Sequence, residues 1–375
     1  MATPCSKPEL AKTAVVIREE LERRAQRKRE SMAAETARVH KHAPPKPTSY
    51  FEESNSETEG KVLLSSLIPS WNKGEFDLWV TVHDIKQYSD EQRAQIPKVD
   101  PMYLPNCKSA ALLAYAIEYD DAPVFLHGAP SVGKTSLVNY ICALLNRPFY
   151  KLNFFAHITP EHLVGCDKLR HESGATVSQW QDGVVPVAMR TPNAVMLLDE
   201  PTAGSAECQM VLQAALERGG RLFLADADGS IADRTVYAAP GMRWVMCDNT
   251  LGQGDPTGKF VGTSPQNSAW LDRVGTFVHV DWIDRTLEAQ MLKKYAPDCT
   301  IDLCASIVSV ASLLRDAYRK DELSTVCSMR VTQAWARHAA RLRDPRFAFE
   351  LAFVNRLDDP NEQSAVLETF RSVFK

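Results

Sequence analysis

The sequence predicts an α/β fold, in which a parallel sheet with hairpin inserts lies between helices, followed by a small all-α domain. Three observations lead to this fold class. An apolar run at residues 124–126 leads into a glycine-bounded loop and then a helix. A second unbroken apolar run, residues 194–198, is typical of a strand buried on both faces of a parallel sheet. From residue 285 onward, apolar residues recur at helical spacing only.

The loop after the first apolar run has the spacing G-x-x-x-x-G-K-[ST]. Glycines at its ends let several backbone N–H groups point at one anion, and the following helix adds the positive end of its dipole. We expect Lys134 to contact β- and γ-phosphate oxygens and the Thr135 hydroxyl to coordinate Mg²⁺. An ordinary glycine turn is the alternative. The predicted ATP-binding residues are Gly128, Ala129, Pro130, Ser131, Val132, Gly133, Lys134, Thr135 and Ser136.

The second apolar run ends in two carboxylates, Asp199 and Glu200. We expect Asp199 to hold Mg²⁺ through its water shell and Glu200 to polarise the attacking water. Two carboxylates at a buried strand end are costly unless a cation lies opposite them. Acidic strand ends are common, so this prediction depends on the pairing with the phosphate loop.

Another strand is expected at residues 243–247, ending in polar residues. Its carboxyl end should lie beside that of the acidic strand. Asn249 would then orient the attacking water or contact the γ-phosphate. A polar amide at a strand end is otherwise usually a turn former.

Composition narrows the functional classes. The net charge of −4 gives no general argument for nucleic acid or an anionic membrane as a partner. Nine cysteines without a C-x-x-C pair are typical of free thiols in a reducing compartment. No apolar segment reaches membrane-spanning length, and no signal-peptide core is present. A soluble, cytoplasmic protein is expected. We interpret His157, His162 and His171 as surface histidines rather than a metal site.

We expect four segments along the 375 residues. Residues 1–49 form a basic helical N-terminal arm, which is either a solvated helix face or flexible arm, or a docking helix for a partner or neighbouring subunit. Residues 50–98 form a linker and a small accessory region. Residues 99–284 form the α/β nucleotide-binding core, and residues 285–375 form the all-α lid domain.

Several local elements of the core and lid are also expected. Hairpins are predicted at 167–180 and 222–237, and an amphipathic helix at 207–218 that ends at two glycines. The proline-containing segment 100–105 would lie beside the phosphate loop, where a nucleotide base needs a cover. In the lid, helices are predicted at 329–342, 346–357 and 361–374.

The order of phosphate loop, acidic strand, polar strand end, Asp-Arg pair and helical lid resembles the AAA+ ATPases. The segments that refine this resemblance are 181–186, 249–258 (NTLGQGDPTG), 262–263 and 271–273, which are similar to the MoxR and chelatase (helix-2-insert) branch. Residues 99–103 (VDPMY) and 347–355 (FAFELAFVN) narrow the likeness to the CobS-type ATPase subunit of cobaltochelatase.

The resemblance implies a homo-oligomeric ring, a hexamer, with ATP and Mg²⁺ bound between subunits. Arg273 would be the finger that reaches the γ-phosphate held by the next subunit, and Arg330 would be the second sensor, carried by the lid. The family usually has proline where this chain has Met329. The two hairpins would face the pore or a partner. Pro201 and Thr202 after the acidic pair also occur in ABC-type ATPases, but an LSGGQ signature is absent upstream.

Three functions remain open at this point. The first is a Mg-ATP-hydrolysing ring motor, a chaperone that remodels a partner or client complex, with a von Willebrand A-type partner. The second is the cobaltochelatase ATPase subunit, which drives cobalt insertion into a corrin precursor. The third is an ATP-gated structural ring with little turnover. The front third of the chain, which lacks a useful match, favours the first.

Overall fold

A computed structural model describes residues 60–71, 76–172, 175–252 and 268–374. The predicted N-terminal arm, residues 1–49, lies outside these ranges. So do residues 253–267, which hold the second part of the 249–258 run and residues 262–263.

The first described residues pack on the core that follows them. Their elements are β1 (Lys61–Leu63), α1 (Leu64–Leu67), β2 (Trp79–Thr81), a 3-10 turn (Ile85–Gln87) and α2 (Asp90–Ala94). β1 pairs antiparallel with β2. Leu64 and Val80 are fully buried, in one apolar cluster with residues of α3 (Cys107–Tyr119). Residues 60–71 and 76–81 therefore share the apolar core of the segment that follows.

A parallel five-stranded sheet forms the centre of the molecule, in the order β11-β3-β10-β7-β4. Its five strands are β3 (Val124–His127), β4 (Phe149–Asn153), β7 (Val195–Asp199), β10 (Arg243–Asp248) and β11 (Thr276–His279). Two separate antiparallel pairs are formed by β5 (Gly165–Glu172) with β6 (Ala175–Asp182), and by β8 (Arg221–Phe223) with β9 (Thr235–Tyr237). The predicted acidic strand, β7, lies in the interior, and residues 194–198 are fully buried. The predicted fold class is confirmed.

Helices cover both faces of this sheet, because alternate residues of each strand point to opposite sides. These helices are α4 (Lys134–Leu144), α5 (Pro160–Val164), α6 (Val184–Arg190), α7 (Ala206–Gln213) and α8 (Ser268–Leu271). Val124 and Leu126 pack in the cluster that contains α3 and α4 residues. Phe125, between them, packs in the other cluster, with residues of α6 and α7.

Both predicted hairpins are present. β5 pairs antiparallel with β6 from Gly165↔Asp182 to Glu172↔Ala175, and β8 pairs with β9. The predicted helix 207–218 is shorter, since α7 ends at Gln213. The Arg221 N–H donates to the carbonyl oxygen of Ala214, so the chain folds back tightly into β8. The sequence predicted a longer helix because residues 215 and 216 are apolar at helical spacing, but in the structure they are buried in this turn instead.

The C-terminal region is helical, with an apolar core of its own. Its helices are α9 (Arg285–Tyr295), α10 (Ile301–Arg319), α11 (Met329–Leu342), α12 (Pro345–Ala352) and α13 (Pro360–Val373). The predicted helix 346–357 is interrupted, and Val354–Arg356 form a 3-10 turn. At the break Phe353 takes φ −135° and is fully buried, with its ring centroid 6.0 Å from that of Phe349. Burial of this ring ends the regular helix.

None of the helices in the described ranges combines the length and the apolar character needed to cross a bilayer.

Candidate nucleotide-binding site

The predicted phosphate loop connects β3 to α4, and its backbone requires glycine at both ends. Gly128 has φ +152°, and a Cβ there would collide with the carbonyl oxygen of Val280. Gly133 has φ +97°, a left-handed conformation that side chains other than hydrogen rarely adopt. The loop ends directly at the N-terminus of α4, where free N–H groups and the helix dipole favour an anion.

Lys134 is 8% exposed and lies at the centre of the loop. Its ammonium group donates to the carbonyl oxygens of Gly128 and Ala129, at 2.9 and 3.0 Å. A third bond, of 2.8 Å, reaches Oδ1 of Asn249. Burial lowers the pKa of Lys134, while the nearby acidic groups oppose this shift. The Lys134 side chain thus links the phosphate loop to Asn249, the residue after β10.

Asp199 lies beside Thr135, as the prediction of a shared metal site requires. The Thr135 hydroxyl is 3.2 Å from Oδ2 of Asp199. A cation also faces this carboxylate, because Nζ of Lys151 is 2.6 Å from Oδ2. A cation opposite the two carboxylates was expected from the sequence, but its identity was not predicted. A lysine between Tyr150 and Leu152 of strand β4 was the available signal, but the pairing of β4 with β7 could not be predicted from the sequence.

Glu200 follows β7 in a left-handed conformation, with φ 55° and ψ 50°. Its N–H donates to the carbonyl oxygen of Cys247 at 2.8 Å, and its side chain is exposed on the cavity wall. A non-glycine residue in this region costs about 1 to 2 kcal/mol. Such conformations are concentrated at functional sites.

Arg330 comes to the phosphate loop from the lid. It lies in the first turn of α11, and its Nη1 is 3.4 Å from the Ser131 hydroxyl. Met329, where the family usually has proline, is the first residue of the helix. Ser328 caps the helix by accepting a bond from the Val331 N–H. The helix therefore begins directly before Arg330.

Arg273 lies outside this cavity. Its Nη2 is 2.8 Å from Oε1 of Glu217, and its Nη1 donates to the carbonyl oxygen of Ala269. The structure therefore does not bring Arg273 to the phosphate loop of its own subunit.

The cavity has a volume of about 510 Å³, within the usual range for small-molecule sites. The charged and polar side chains that line it include Lys134, Thr135, Lys151, Asp199, Glu200, Asn249, Arg330 and Gln333. Its more apolar part is lined by Tyr103, Met291, Tyr295 and Met329. Of the predicted loop residues, Pro130, Ser131, Gly133 and Ser136 also line it, whereas Val132 is buried in the core.

The lid and the proline-containing segment close the apolar part of the cavity. The Tyr295 hydroxyl donates to Oδ2 of Asp100 at 3.0 Å, and Nζ of Lys294 donates to the carbonyl oxygen of Pro101. Tyr103 comes from the same segment and lies beside Gly133. The position of segment 100–105 could be predicted from the sequence, whereas that of Met291 and Tyr295 could not, because lid residues reach the site only through tertiary packing.

Comparison with known proteins agrees with this geometry. The family model described as an AAA domain of the dynein-related subfamily matches residues 123–256. The aerobic cobaltochelatase subunit CobS from Sinorhizobium sp is 30% identical over 285 residues, which cover 75% of this chain and 83% of that relative. The chain belongs to the MoxR/CobS family of AAA+ ATPases. The resemblance noted from the sequence is confirmed.

Two further proteins are similar to this MoxR/CobS-family chain over part of its length. The denitrification regulatory protein NirQ from Stutzerimonas stutzeri is 26% identical over 271 residues, covering 72% of this chain and 90% of that relative. The Thermotoga maritima RuvB Holliday junction branch migration motor is 15% identical, covers 65% of each chain and has a TM-score of 0.39.

Replacement of Gly133 by alanine tests the loop. Since φ at Gly133 is +97°, Gly133→Ala should lower the free energy of unfolding by about 1 kcal/mol and weaken ATP binding at least tenfold. Denaturant unfolding and titration with a fluorescent ATP analogue measure the two effects.

The matched control is Gly219→Ala. Gly219 has φ +67° with open space around it, so alanine brings similar backbone strain away from the cavity. It should lower stability and leave ATP binding unchanged. Equal affinity for ATP in both variants would contradict the assignment of the loop.

Proposed function

We propose that this chain hydrolyses Mg-ATP as a homo-oligomeric ring motor that remodels a partner or client complex. The main support for the proposal is a single cavity. It is lined by the phosphate loop, by Asp199, Glu200 and Asn249 of the core, and by Arg330 of the lid. A hexameric ring with a von Willebrand A-type partner is the assembly we propose, by likeness to the family.

ATP binding follows from the polarity of the cavity. The polar part, around Lys134 and the start of α4, suits the triphosphate, because N–H groups and an ammonium converge there. The apolar part, between Tyr103 and Met291, suits the base. Because Arg330 comes from the lid and Lys134 from the core, a triphosphate bound by both would couple the two domains.

Two oxygen-bearing side chains beside the loop suit a magnesium ion, which would have to displace the ammonium group of Lys151 from Asp199. The Thr135 hydroxyl and the Asp199 carboxylate lie 3.2 Å apart, and oxygen ligands of this kind are those that Mg²⁺ prefers. We propose that these two residues hold it. Bound Mg²⁺ would neutralise charge on the β- and γ-phosphates.

Hydrolysis requires a base for the attacking water and cations for the developing charge. Glu200 is the proposed base: it takes a proton as the water oxygen bonds to the γ-phosphorus and the bond to the ADP oxygen breaks. Asn249 is held 2.8 Å from Lys134, where it contacts the γ-phosphate or orients the water. Arg330 supplies positive charge from the lid.

The proposed ring follows from the position of Arg273. In its own subunit this arginine is paired with Glu217, which is about half exposed, and lies away from the cavity. A role in hydrolysis therefore requires the cavity of a neighbouring subunit. There its guanidinium would stabilise charge on the γ-phosphate in the transition state.

The similarity to CobS supports a second candidate function. In that case the same motor would be the ATPase subunit of a cobaltochelatase, with cobalt and a corrin precursor as substrates of the assembly. Reconstitution with the other chelatase subunits separates the candidates, since only the chelatase would make cobalt insertion dependent on ATP hydrolysis. A ring with little turnover would show neither appreciable phosphate release nor cobalt insertion.

Glu200→Gln tests hydrolysis directly. The amide cannot accept the proton, so steady-state phosphate release should fall at least about a hundredfold while the affinity for ATP is retained. Phosphate release and ATP titration on the assembled protein measure this. Release at the wild-type rate would remove Glu200 from the role of base.

Arg273→Ala tests the contact between subunits. The variant should bind ATP normally and lose hydrolysis, because its own cavity is intact but lacks the neighbour's guanidinium. Mixing it with Glu200→Gln subunits should restore part of the activity, since an intact Arg273 then faces an intact Glu200. Arg371→Ala, which changes an exposed arginine on α13, is the control with wild-type activity. A mixture that assembles but stays inactive would contradict the proposed contact.

A further inference from the structure

Asp248, the last residue of β10, is a buried carboxylate outside the predicted site. It is 1% exposed. Its Oδ2 accepts bonds from the Thr202 hydroxyl at 2.7 Å and the Thr202 N–H at 3.2 Å. Its Oδ1 accepts bonds from the N–H groups of Asn249 and Thr250, at 2.7 and 3.1 Å. Both oxygens of this buried acid are satisfied by neutral donors.

The Oδ2 side fixes the turn that presents Glu200. Thr202 is 1% exposed and lies in the 3-10 turn Pro201–Ala203, directly after Glu200. The Ala203 N–H closes this turn on the carbonyl oxygen of Glu200 at 2.9 Å. Because Glu200 is in a left-handed conformation, the surrounding bonds must hold it there.

The Oδ1 side fixes the residue that contacts the phosphate loop. The Asn249 N–H is bonded to Asp248, and the Asn249 side chain accepts from Lys134. A continuous series of hydrogen bonds therefore runs from Lys134 through Asn249 and Asp248 to Thr202.

We propose that Asp248 and Thr202 form a clamp that positions Glu200 and Asn249 relative to each other. Asp248 and Thr202 are positioning residues, since neither lines the cavity. The clamp gives a reason for the Pro-Thr pair after the acidic residues: proline suits the first position of the turn, and threonine supplies two donors to one carboxylate oxygen. This inference rests on the proposed ATP hydrolysis.

Thr202→Val tests the clamp, because it removes the hydroxyl donor and keeps the shape of the side chain. We expect kcat for phosphate release to fall about tenfold, with the Kd for ATP within about twofold of wild type. Thr202→Ser, which keeps the hydroxyl, should recover kcat to within about threefold. If the valine variant does not fold, Thr202→Ala removes the same donor without adding a methyl group.

Thr191→Val is the matched control. Thr191 is 2% exposed, and its hydroxyl donates to the carbonyl oxygen of Val187 at 2.8 Å, away from the cavity. This variant should lower the unfolding midpoint and leave kcat unchanged. If Thr202 contributed only to stability, Thr202→Val would behave like Thr191→Val: its unfolding midpoint would fall and its kcat would stay unchanged.

A double-mutant cycle with Asp248→Asn separates a clamp from two independent effects. The combined loss of kcat should be smaller than the product of the single losses, because either change already breaks the same bond. Wild-type kcat in Thr202→Val, an equal loss in Thr202→Ser, or independent losses in the cycle would overturn the clamp. Lack of phosphate release by the wild type would instead overturn the proposed function, and the clamp with it.

Discussion

The buried ammonium group of Lys134 is the interaction on which the site depends. Its three acceptors are two carbonyl oxygens of the loop and the amide oxygen of Asn249, all within 3.0 Å. Because a buried cation without partners is costly, these bonds fix both the shape of the loop and the residue after β10. A triphosphate at the loop would offer the same ammonium stronger, charged acceptors. Binding of ATP and the position of Asn249 are therefore coupled through one side chain.

Sheet topology explains how residues distant in sequence meet at this ammonium group. Lys134 and Asn249 are separated by 115 positions, yet β3 and β10 are neighbours in the sheet. β7 lies on the other side of β10, so its carboxylates end at the same edge. Ligands of open parallel sheets bind at the carboxyl ends of the strands for this reason. The lid adds Arg330 beside the loop, so a triphosphate bound there would be contacted by residues of both domains.

Much of the core could be predicted because its signals are local. The glycine spacing of the loop, the uninterrupted apolar strand β7 and the polar residues after β10 each depend on a few consecutive residues. Lys151 could not be assigned, because its partner Asp199 is 48 positions away and belongs to a neighbouring strand. The end of α7 was also misplaced, since burial of Leu216 continues the helical pattern after the helix has stopped. Met291 and Tyr295 reach the cavity through the packing of the lid, which the spacing of apolar residues does not specify.

The proposed ring leaves each subunit with a site that is complete for binding but not for hydrolysis. All the described residues proposed to hold the triphosphate lie in one chain, whereas Arg273 is paired with Glu217 away from the cavity. This division would make turnover depend on assembly. Binding of ATP at this loop can therefore be tested separately from the contact with a neighbouring subunit and from the remodelling of a client complex.

The most direct test of that central claim is a binding isotherm for Mg-ATP on the assembled protein, measured by calorimetry. The account predicts saturable binding by the wild type, at least a hundredfold weaker binding by Lys134→Ala, and unchanged binding by Lys320→Ala, which alters a lysine on the outer surface of the lid. Wild-type affinity in Lys134→Ala, or no binding by the folded wild type, would contradict it.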